Sequence, residues 1–274
     1  MNSILFKLNF FKSSNKIIDI IDIIGNISYA NNHNINNNCV SQEIVKQCRN
    51  ILEDSANQHL VIFKINSPGG TAAAGEEIAN IINKLRQKNI ITIASIGDIG
   101  CSAAYLIASQ CNYIFANKMS LLGSIGVIMP IPNVKDLSDK IGIKINYLKS
   151  GKMKDIGNAF RDMTLEEKEY IEQMLLYSHN IFIKMVTKYR KIDNVELLDG
   201  RFVTANIALN NNLIDDYKDF DDTVEYAIEL LKTNRQYVKI KTYTKKASLL
   251  SKLFNINMTS MLDLSAINNM KGLI

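Results

Sequence analysis

Apolar runs of strand length alternate with segments of helical periodicity in the first part of this chain, and this alternation restricts the fold more than any other feature. Residues 16–24 (KIIDIIDII), 60–65 (LVIFKI) and 89–95 (NIITIAS) are rich in β-branched residues, which is typical of buried strands. Residues 42–56 and 71–88 lie between them and carry apolar side chains on one helical face. The pattern predicts an α/β fold with a mainly parallel sheet and right-handed crossovers.

The rest of the chain continues the mixed pattern. Thr164 and Glu167 form a capping-box signature at the start of a long amphipathic segment. The further predicted elements are helices over 103–110, 134–141, 164–191 and 220–232, and strands over 113–116, 143–148 and 237–242. Sites in such sheets form beyond the carboxyl ends of the strands, so we expect the turns after 60–65 and 89–95 to share one rim.

Charge is distributed unevenly along the 274 residues. The net charge is +5, and residues 233–274 contain seven Lys or Arg against one Asp, which is +6, so the preceding residues sum to about −1. We predict an N-terminal segment at 1–15, one domain over 16–232 and a basic C-terminal tail over 233–274. A basic tail can contact an acidic lipid surface, and a solvated end explains it equally well.

Several classes of protein are disfavoured by the sequence. No run reaches the roughly 18 to 20 apolar residues of a membrane helix, and the apolar N-terminal patch, broken by Lys7, is a poor signal peptide. That patch can still bind a membrane interface weakly. The four cysteines fit neither a zinc pattern nor a disulfide framework. We predict no metal, no cofactor and no nucleic-acid partner.

Ser102 lies at the predicted strand-to-helix turn within GDIGCSAAYLIA, residues 97–108. A hydroxyl there is close to the positive end of the helix dipole, which favours the negative charge that acyl transfer builds up. Serine is also among the best helix N-caps, so the position alone supports either a nucleophile or a cap.

A nucleophilic serine needs a base to take its proton. The three histidines, His33, His59 and His179, show no Ser-His-Asp pattern. A lysine can serve when its surroundings favour the neutral form. Lys152 and Lys154 lie in a small-residue loop after a predicted strand, and the residues alone leave the choice between them open.

Several separated blocks resemble one known family. INSPGG at 65–70, the Ser102 turn with AAYLIAS, GSIGVI at 123–128, SGKMKD at 150–155, MTLEEK at 163–168 and GRFVTANIALNNNLID at 200–215 occur in the order found in the signal peptide peptidase A (SppA) family of serine peptidases. The resemblance covers about residues 16–232. It implies a ClpP/crotonase-type fold with repeated ββα units and a Ser/Lys catalytic dyad.

The resemblance also implies roles for individual residues. Ser102 matches the nucleophile and Lys154 matches the general base, while Lys152 matches no catalytic position. Gly69 matches the glycine whose backbone N–H stabilises the oxyanion, and Ser124 matches the serine that hydrogen-bonds and orients the lysine. The family usually has Gly-Gly after the nucleophile, where this chain has Ala103 and Ala104. Alanine suits that position if the segment is simply the first turn of a helix.

The resemblance implies a serine endopeptidase, a hydrolase of unfolded apolar segments such as cleaved signal peptides, that assembles into homo-oligomers hiding its active sites. For cellular location, we expect a bacterial protein without a transmembrane helix that is either cytoplasmic or peripherally associated with a membrane. A crotonase-like acyl-CoA enzyme and a non-catalytic protein of the same fold are the alternatives. A ClpP-like peptidase is a related possibility, but its base is a histidine, and none follows Ser102 before His179.

Overall fold

The computed structural model describes residues 15–29 and 38–243. His33, the N-terminal patch and the apolar residues of the far tail therefore lie outside the described residues. The strands in chain order are β1 (Lys16–Ile24), β2 (Asn26–Ser28), β3 (Asn38–Val40), β4 (Gln58–Ser67), β5 (Ile91–Cys101), β6 (Tyr113–Ala116), β7 (Leu121–Gly123), β8 (Phe202–Thr204), β9 (Asp216–Tyr217) and β10 (Val238–Tyr243). The helices are α1 (Ser41–Glu53), α2 (Ala72–Gln87), α3 (Ala103–Ala108), α4 (Lys135–Lys140), α5 (Leu165–Thr187), α6 (Ala205–Asn210) and α7 (Phe220–Leu230), with 3-10 turns at Val195–Leu198 and Arg235–Tyr237.

The main sheet has eight strands, six of them in the order β10-β1-β4-β5-β6-β9, with β7 beside the end of β5 and β8 beside β7. The neighbours from β1 to β9 pair in parallel, whereas β7 and β8 are antiparallel. The α/β class and the mainly parallel sheet predicted from the sequence are confirmed. β10 adds to the edge beside β1, so part of the chain beyond residue 232 completes the sheet.

The central strands are apolar on both faces because helices cover both. On one face, alternate residues such as Ile18, Leu60 and Ile93 pack against Val224 and Ile228 of α7. Their neighbours along the strands, which point to the opposite face, are also buried. Burial on both faces explains why these strands appear in the sequence as continuous apolar runs without polar alternation.

Two features of the polar residues differ from expectation. The strand predicted over 60–65 begins earlier, at Gln58, so that His59 lies inside β4. His59 is buried, with Nδ1 2.5 Å from Oδ2 of the fully buried Asp19. The strand predicted over 143–148 is wrong. These residues are exposed and have no strand assignment, because their alternating apolar side chains have no partner strand among the described residues of this single chain.

Candidate active site

Ser102 is the one partly accessible residue in a buried stretch from Cys101 to Cys111. β5 extends to Cys101, farther than the predicted end at residue 95, and delivers Ser102 directly to the start of α3. The Ser102 N–H donates to the Gly123 carbonyl at 2.8 Å, and the Ser102 carbonyl accepts from the Leu106 N–H at 2.9 Å. Both backbone groups are therefore fixed, while the side chain makes no capping hydrogen bond.

The backbone of Ser102 is strained. Its φ of 53° and ψ of −126° lie in a region that L-residues with a side chain rarely occupy. Such a conformation costs about 1–3 kcal/mol and is concentrated at functional sites. The strain weighs against Ser102 being only a helix cap, because ordinary N-caps occupy the unstrained β region.

Ala103 and Ala104 belong to the first turn of α3, as the helical interpretation predicted. The positive φ falls on Ser102 itself and not on the residue after it. Alanine is therefore compatible with this backbone. Close packing also limits side-chain size here, since a Cβ on Gly75 of α2 would lie 2.9 Å from the Ala103 Cβ.

The turn after β4 approaches Ser102 so closely that only glycine fits. A Cβ on Gly69 would lie 2.7 Å from the Ser102 Cβ and 2.9 Å from the Cys101 carbonyl oxygen, and the φ of Gly69 is 114°. The structure thus places the two strand-end turns at one rim, as expected. Gly69 and Ser102 are brought together by the backbone itself.

The amides of this turn are not equivalent. The Gly69 N–H donates at 3.1 Å to Oγ of Ser67, a fully buried side chain. The Thr71 N–H donates to the Ile27 carbonyl at 2.9 Å. Within the described part of the chain, the N–H groups of Gly70 and Ala103 make no hydrogen bond. Sequence reasoning singled out Gly69 and did not find these two amides, because the sequence does not show which N–H groups the turn leaves unpaired.

Ser124 directly follows Gly123, whose carbonyl accepts the hydrogen bond from the Ser102 N–H. β7 pairs with the end of β5, with Cys101 opposite Gly123. Ser124 also has a positive φ of 53°, and its N–H donates to the Arg201 carbonyl at 2.8 Å. His179 of α5 contacts the same loop through Nε2, 2.9 Å from the Ile125 carbonyl oxygen. His179 is therefore a half-buried residue that links α5 to this loop.

Among the described residues, no hydrogen bond or ion pair joins Lys154 to Ser102. Lys154 lies in a run of turns before α5, where its N–H donates to the Gly151 carbonyl at 3.1 Å. Its side chain is exposed and makes no hydrogen bond or ion pair within the described residues. Lys152 is equally exposed and pairs with Glu166 of α5. Of the four site residues expected from the sequence, Ser102, Gly69 and Ser124 lie at one rim of the sheet. No hydrogen bond joins Lys154 to these three within the described residues.

The comparison with known proteins identifies the family. The model of peptidase family S49 matches residues 84–234, a range that includes Ser102, Ser124 and Lys154. This chain belongs to peptidase family S49. The match accounts for more than half of the chain and begins after the Gly69 turn.

Individual relatives carry protease names. The chain is 34% identical over 168 residues to "Putative protease MJ0651" of Methanocaldococcus jannaschii, covering 60% of this chain and 54% of that protein. It is 32% identical over 196 residues to "Putative protease slr0021" of Synechocystis sp., covering 70% of each. It is 30% identical over 187 residues to "Putative signal peptide peptidase SppA" of Enterococcus faecium, covering 67% of this chain and 54% of that protein. The aligned part is thus about half the length of two of these relatives.

Other groups near Ser102 limit the chemistry available at the candidate active site. Burial raises the pKa of the Cys101 thiol to about 11, so this neighbour of Ser102 stays protonated and is a poor competing nucleophile. Among residues 15–29 and 38–243, no group of three or more His, Cys, Asp or Glu side chains could hold a metal ion. No helix in those ranges is long and apolar enough to cross a membrane.

Proposed function

We propose that this S49 protein is a serine endopeptidase in which Ser102 is the nucleophile and Lys154 is the general base. The observation that carries the proposal is the strained backbone of Ser102 at the end of β5, pressed against the Gly69 turn. This arrangement exposes one hydroxyl at the rim of a parallel sheet, where α/β proteins build their sites. The range matched by the family model, 84–234, includes both residues.

The proposed reaction begins with attack of Ser102 Oγ on the carbonyl carbon of the scissile peptide bond. Neutral Lys154 Nζ accepts the hydroxyl proton and later donates it to the leaving amine. The tetrahedral oxyanion is stabilised by backbone N–H groups of the turn that contains Gly69 and of the first residue of α3. Gly70 and Ala103 have amides free for this task, and the Gly69 amide joins them once it leaves Ser67 Oγ. Ser124 orients the lysine. Water then hydrolyses the acyl-enzyme.

A homo-oligomer completes this site in our proposal. The residues between Gly126 and Phe160 are largely exposed, and they include large apolar side chains such as Ile128, Leu137 and Leu148. Exposed apolar surface of this kind favours burial against another protein surface. Lys154 lies in the same exposed region, and its side chain makes no hydrogen bond or ion pair within the described residues. We therefore propose that assembly of several copies brings Lys154 and Ser102 together.

The substrates that we propose are unfolded apolar peptides such as cleaved signal peptides. One relative carries the name of a signal peptide peptidase, and an active site enclosed within an assembly admits extended chains and excludes folded proteins. A peripheral contact with a membrane surface would give access to such segments, and the protein needs no cofactor for this reaction.

Hydrolysis of a fluorogenic apolar peptide tests the dyad. We expect activity in the wild type and in Lys152→Ala, and its loss in Ser102→Ala and in Lys154→Ala. Equal mixtures of the two inactive variants, refolded together, would regain part of the activity if a site takes its two residues from different copies. Unchanged activity in Ser102→Ala would refute the assignment. A wild type that is inactive on peptides would favour the non-catalytic alternative.

Light scattering tests the assembly. We expect a mass that is a multiple of the 30.9 kDa chain at working concentrations. A monomer at all concentrations that still hydrolyses peptide would contradict the proposed oligomeric site.

A further inference from the structure

Arg161 connects the segment that carries Lys154 to the first turn of α5. We call residues 149–161 the lysine loop. Arg161 Nε donates to Oδ2 of Asp155 at 2.9 Å, and Nη2 donates to the Asp155 carbonyl at 3.2 Å. Nη1 donates to Oε2 of Glu167 at 2.8 Å, and Nη2 also bonds Oε1 of Glu167. Nη1 further donates to the Asp162 carbonyl at 3.0 Å. All five guanidinium N–H groups are therefore used.

The α5 side of this connection is rigid. The Glu167 side chain is only 3% exposed, and its carboxylate also accepts the Thr164 N–H at 2.9 Å, while Thr164 Oγ1 accepts the Glu167 N–H. The hydrogen bond from Arg161 is the main reason that the pKa of Glu167 is lowered to about 2. Arg161 is thus attached to a charged carboxylate at a capped helix end.

The other side of the connection is next to Lys154 in the sequence. The Asp155 side chain is 13% exposed and accepts bonds from both Arg161 and Lys149, which hold its pKa well below the usual range. Lys149 Nζ also donates to the Lys152 carbonyl at 3.1 Å. These bonds constrain the backbone on both sides of Lys154, at Lys152 and at Asp155. The Lys154 side chain itself is exposed and makes no hydrogen bond or ion pair in the described part of the chain.

Isolated ion pairs at a surface contribute little, but this network has features that ordinary pairs lack. A planar guanidinium bridges two carboxylates that belong to different elements, and a lysine cannot reproduce that geometry. No residue of the lysine loop is fully buried, so apolar packing alone does not fix it. The hydrogen bonds of Arg161 join Asp155, the residue after Lys154, to Glu167 of α5.

We propose that Arg161 is a positioning residue for the catalytic lysine: it fixes the lysine loop to α5 so that Lys154 Nζ is presented at a defined place to the hydroxyl of Ser102. This inference rests on the proposed role of Lys154. Arg161 would not contact the reacting atoms. Its effect would appear in the rate of proton transfer rather than in peptide binding.

Arg161→Lys tests the inference, because it keeps the charge and removes the planar fork. We expect kcat for the apolar peptide to fall about a hundredfold, the order found when a group is misplaced by about 1 Å, with KM changed less than kcat. The matched control is Arg235→Lys, which alters an exposed arginine–glutamate pair with Glu225 near the end of the described chain. The control should keep its kcat. Equal activity in Arg161→Lys and wild type would overturn the inference.

Two further measurements separate positioning from general stabilisation. Added guanidinium ion at millimolar concentration should restore part of the kcat of Arg161→Ala, whereas equimolar urea should not. No rescue together with a lowered melting temperature would show a merely structural role and overturn the inference.

Amide hydrogen exchange gives a readout that does not depend on peptidase activity. In Arg161→Lys, exchange should accelerate over residues 149–158 and stay unchanged over α2. Unchanged exchange in the lysine loop would refute the connection even if the peptidase assignment holds. Conversely, faster exchange there, combined with a Lys154→Ala variant as active as wild type, would refute the role of Lys154 and leave the connection intact.

Discussion

The close approach of Gly69 to Ser102 makes Gly69→Ala the most informative single change in this protein. The substitution adds one methyl group where the Ser102 Cβ would be 2.7 Å away and the Cys101 carbonyl oxygen 2.9 Å away. It also forces alanine to adopt a φ of 114°. The backbone N–H of residue 69 is retained, so a loss of activity would come from displacement of the turn or of Ser102 and not from removal of a donor.

The magnitude follows from two contributions. A non-glycine residue at positive φ costs about 1–2 kcal/mol, and forcing a methyl group into a packed site costs about 1–3 kcal/mol more. We therefore expect the free energy of unfolding to fall by about 3 kcal/mol. The contacting atoms are the Cys101 carbonyl oxygen and the Ser102 Cβ. Neither can rotate away as the end of a flexible side chain would, because the Ser102 backbone is fixed by hydrogen bonds.

Gly142→Ala supplies the control. Gly142 also has a positive φ, 75°, but a Cβ there would have nothing within 4 Å. It measures the backbone cost alone, about 1 kcal/mol. Urea unfolding at one fixed protein concentration gives both values, and peptide hydrolysis gives kcat, which we expect to fall about a hundredfold in Gly69→Ala. A Gly69→Ala variant no less stable than Gly142→Ala and fully active would refute the packing that places Gly69 against Ser102.

Three other predictions address protonation and burial. Peptide hydrolysis should rise with pH because the base must be neutral to accept a proton, and a profile that is flat from mildly acidic to alkaline pH would argue against lysine. The pKa of Glu167 is lowered from 4.5 to about 2 in the folded protein. The stability that the ionised carboxylate contributes is therefore fully present above pH 4.5 and is lost as the pH falls toward 2. In an acid titration, Glu167→Gln should be less stable than wild type above pH 4.5, and this difference should disappear as the pH approaches 2. A difference independent of pH would contradict this prediction. Asp19→Leu removes the buried carboxylate next to His59 Nδ1, while Asp54 stays 3.1 Å from Nε2. It should lower the free energy of unfolding by about 3 kcal/mol, with much of the loss recovered in the double variant Asp19→Leu/His59→Phe. Additive losses in chemical denaturation would show that Asp19 and His59 are not coupled.

The fold was predictable where burial acts on whole segments. The predicted ends of β1 and β6 coincide with the observed ones because continuous apolar runs flanked by polar residues leave little choice of boundary. The capping box at Thr164 also formed as predicted, since its two hydrogen bonds are local. By contrast, the alternation over 143–148 resembles a strand, but pairing depends on a partner that no local pattern can supply.

The site was predictable only in part, for physical reasons that concern particular residues. The sequence predicts that Ser102 lies at a turn. It does not predict the positive φ of Ser102, because serine has no preference for that conformation. The approach of Gly69 arises from the packing of two strand ends that are distant in sequence. The contact of His179 with the Ile125 carbonyl likewise depends on how α5 crosses the β7 loop. In our proposal, the meeting of Lys154 with Ser102 depends on assembly, which the sequence of one chain does not show.

The most direct test of the central claim is covalent labelling with a fluorophosphonate, followed by peptide mapping of the adduct. We expect a single modified residue, Ser102, with labelling slowed strongly in Lys154→Ala and unchanged in Lys152→Ala. An adduct on another residue, or a rate at Ser102 that does not depend on Lys154, would contradict the Ser102–Lys154 dyad.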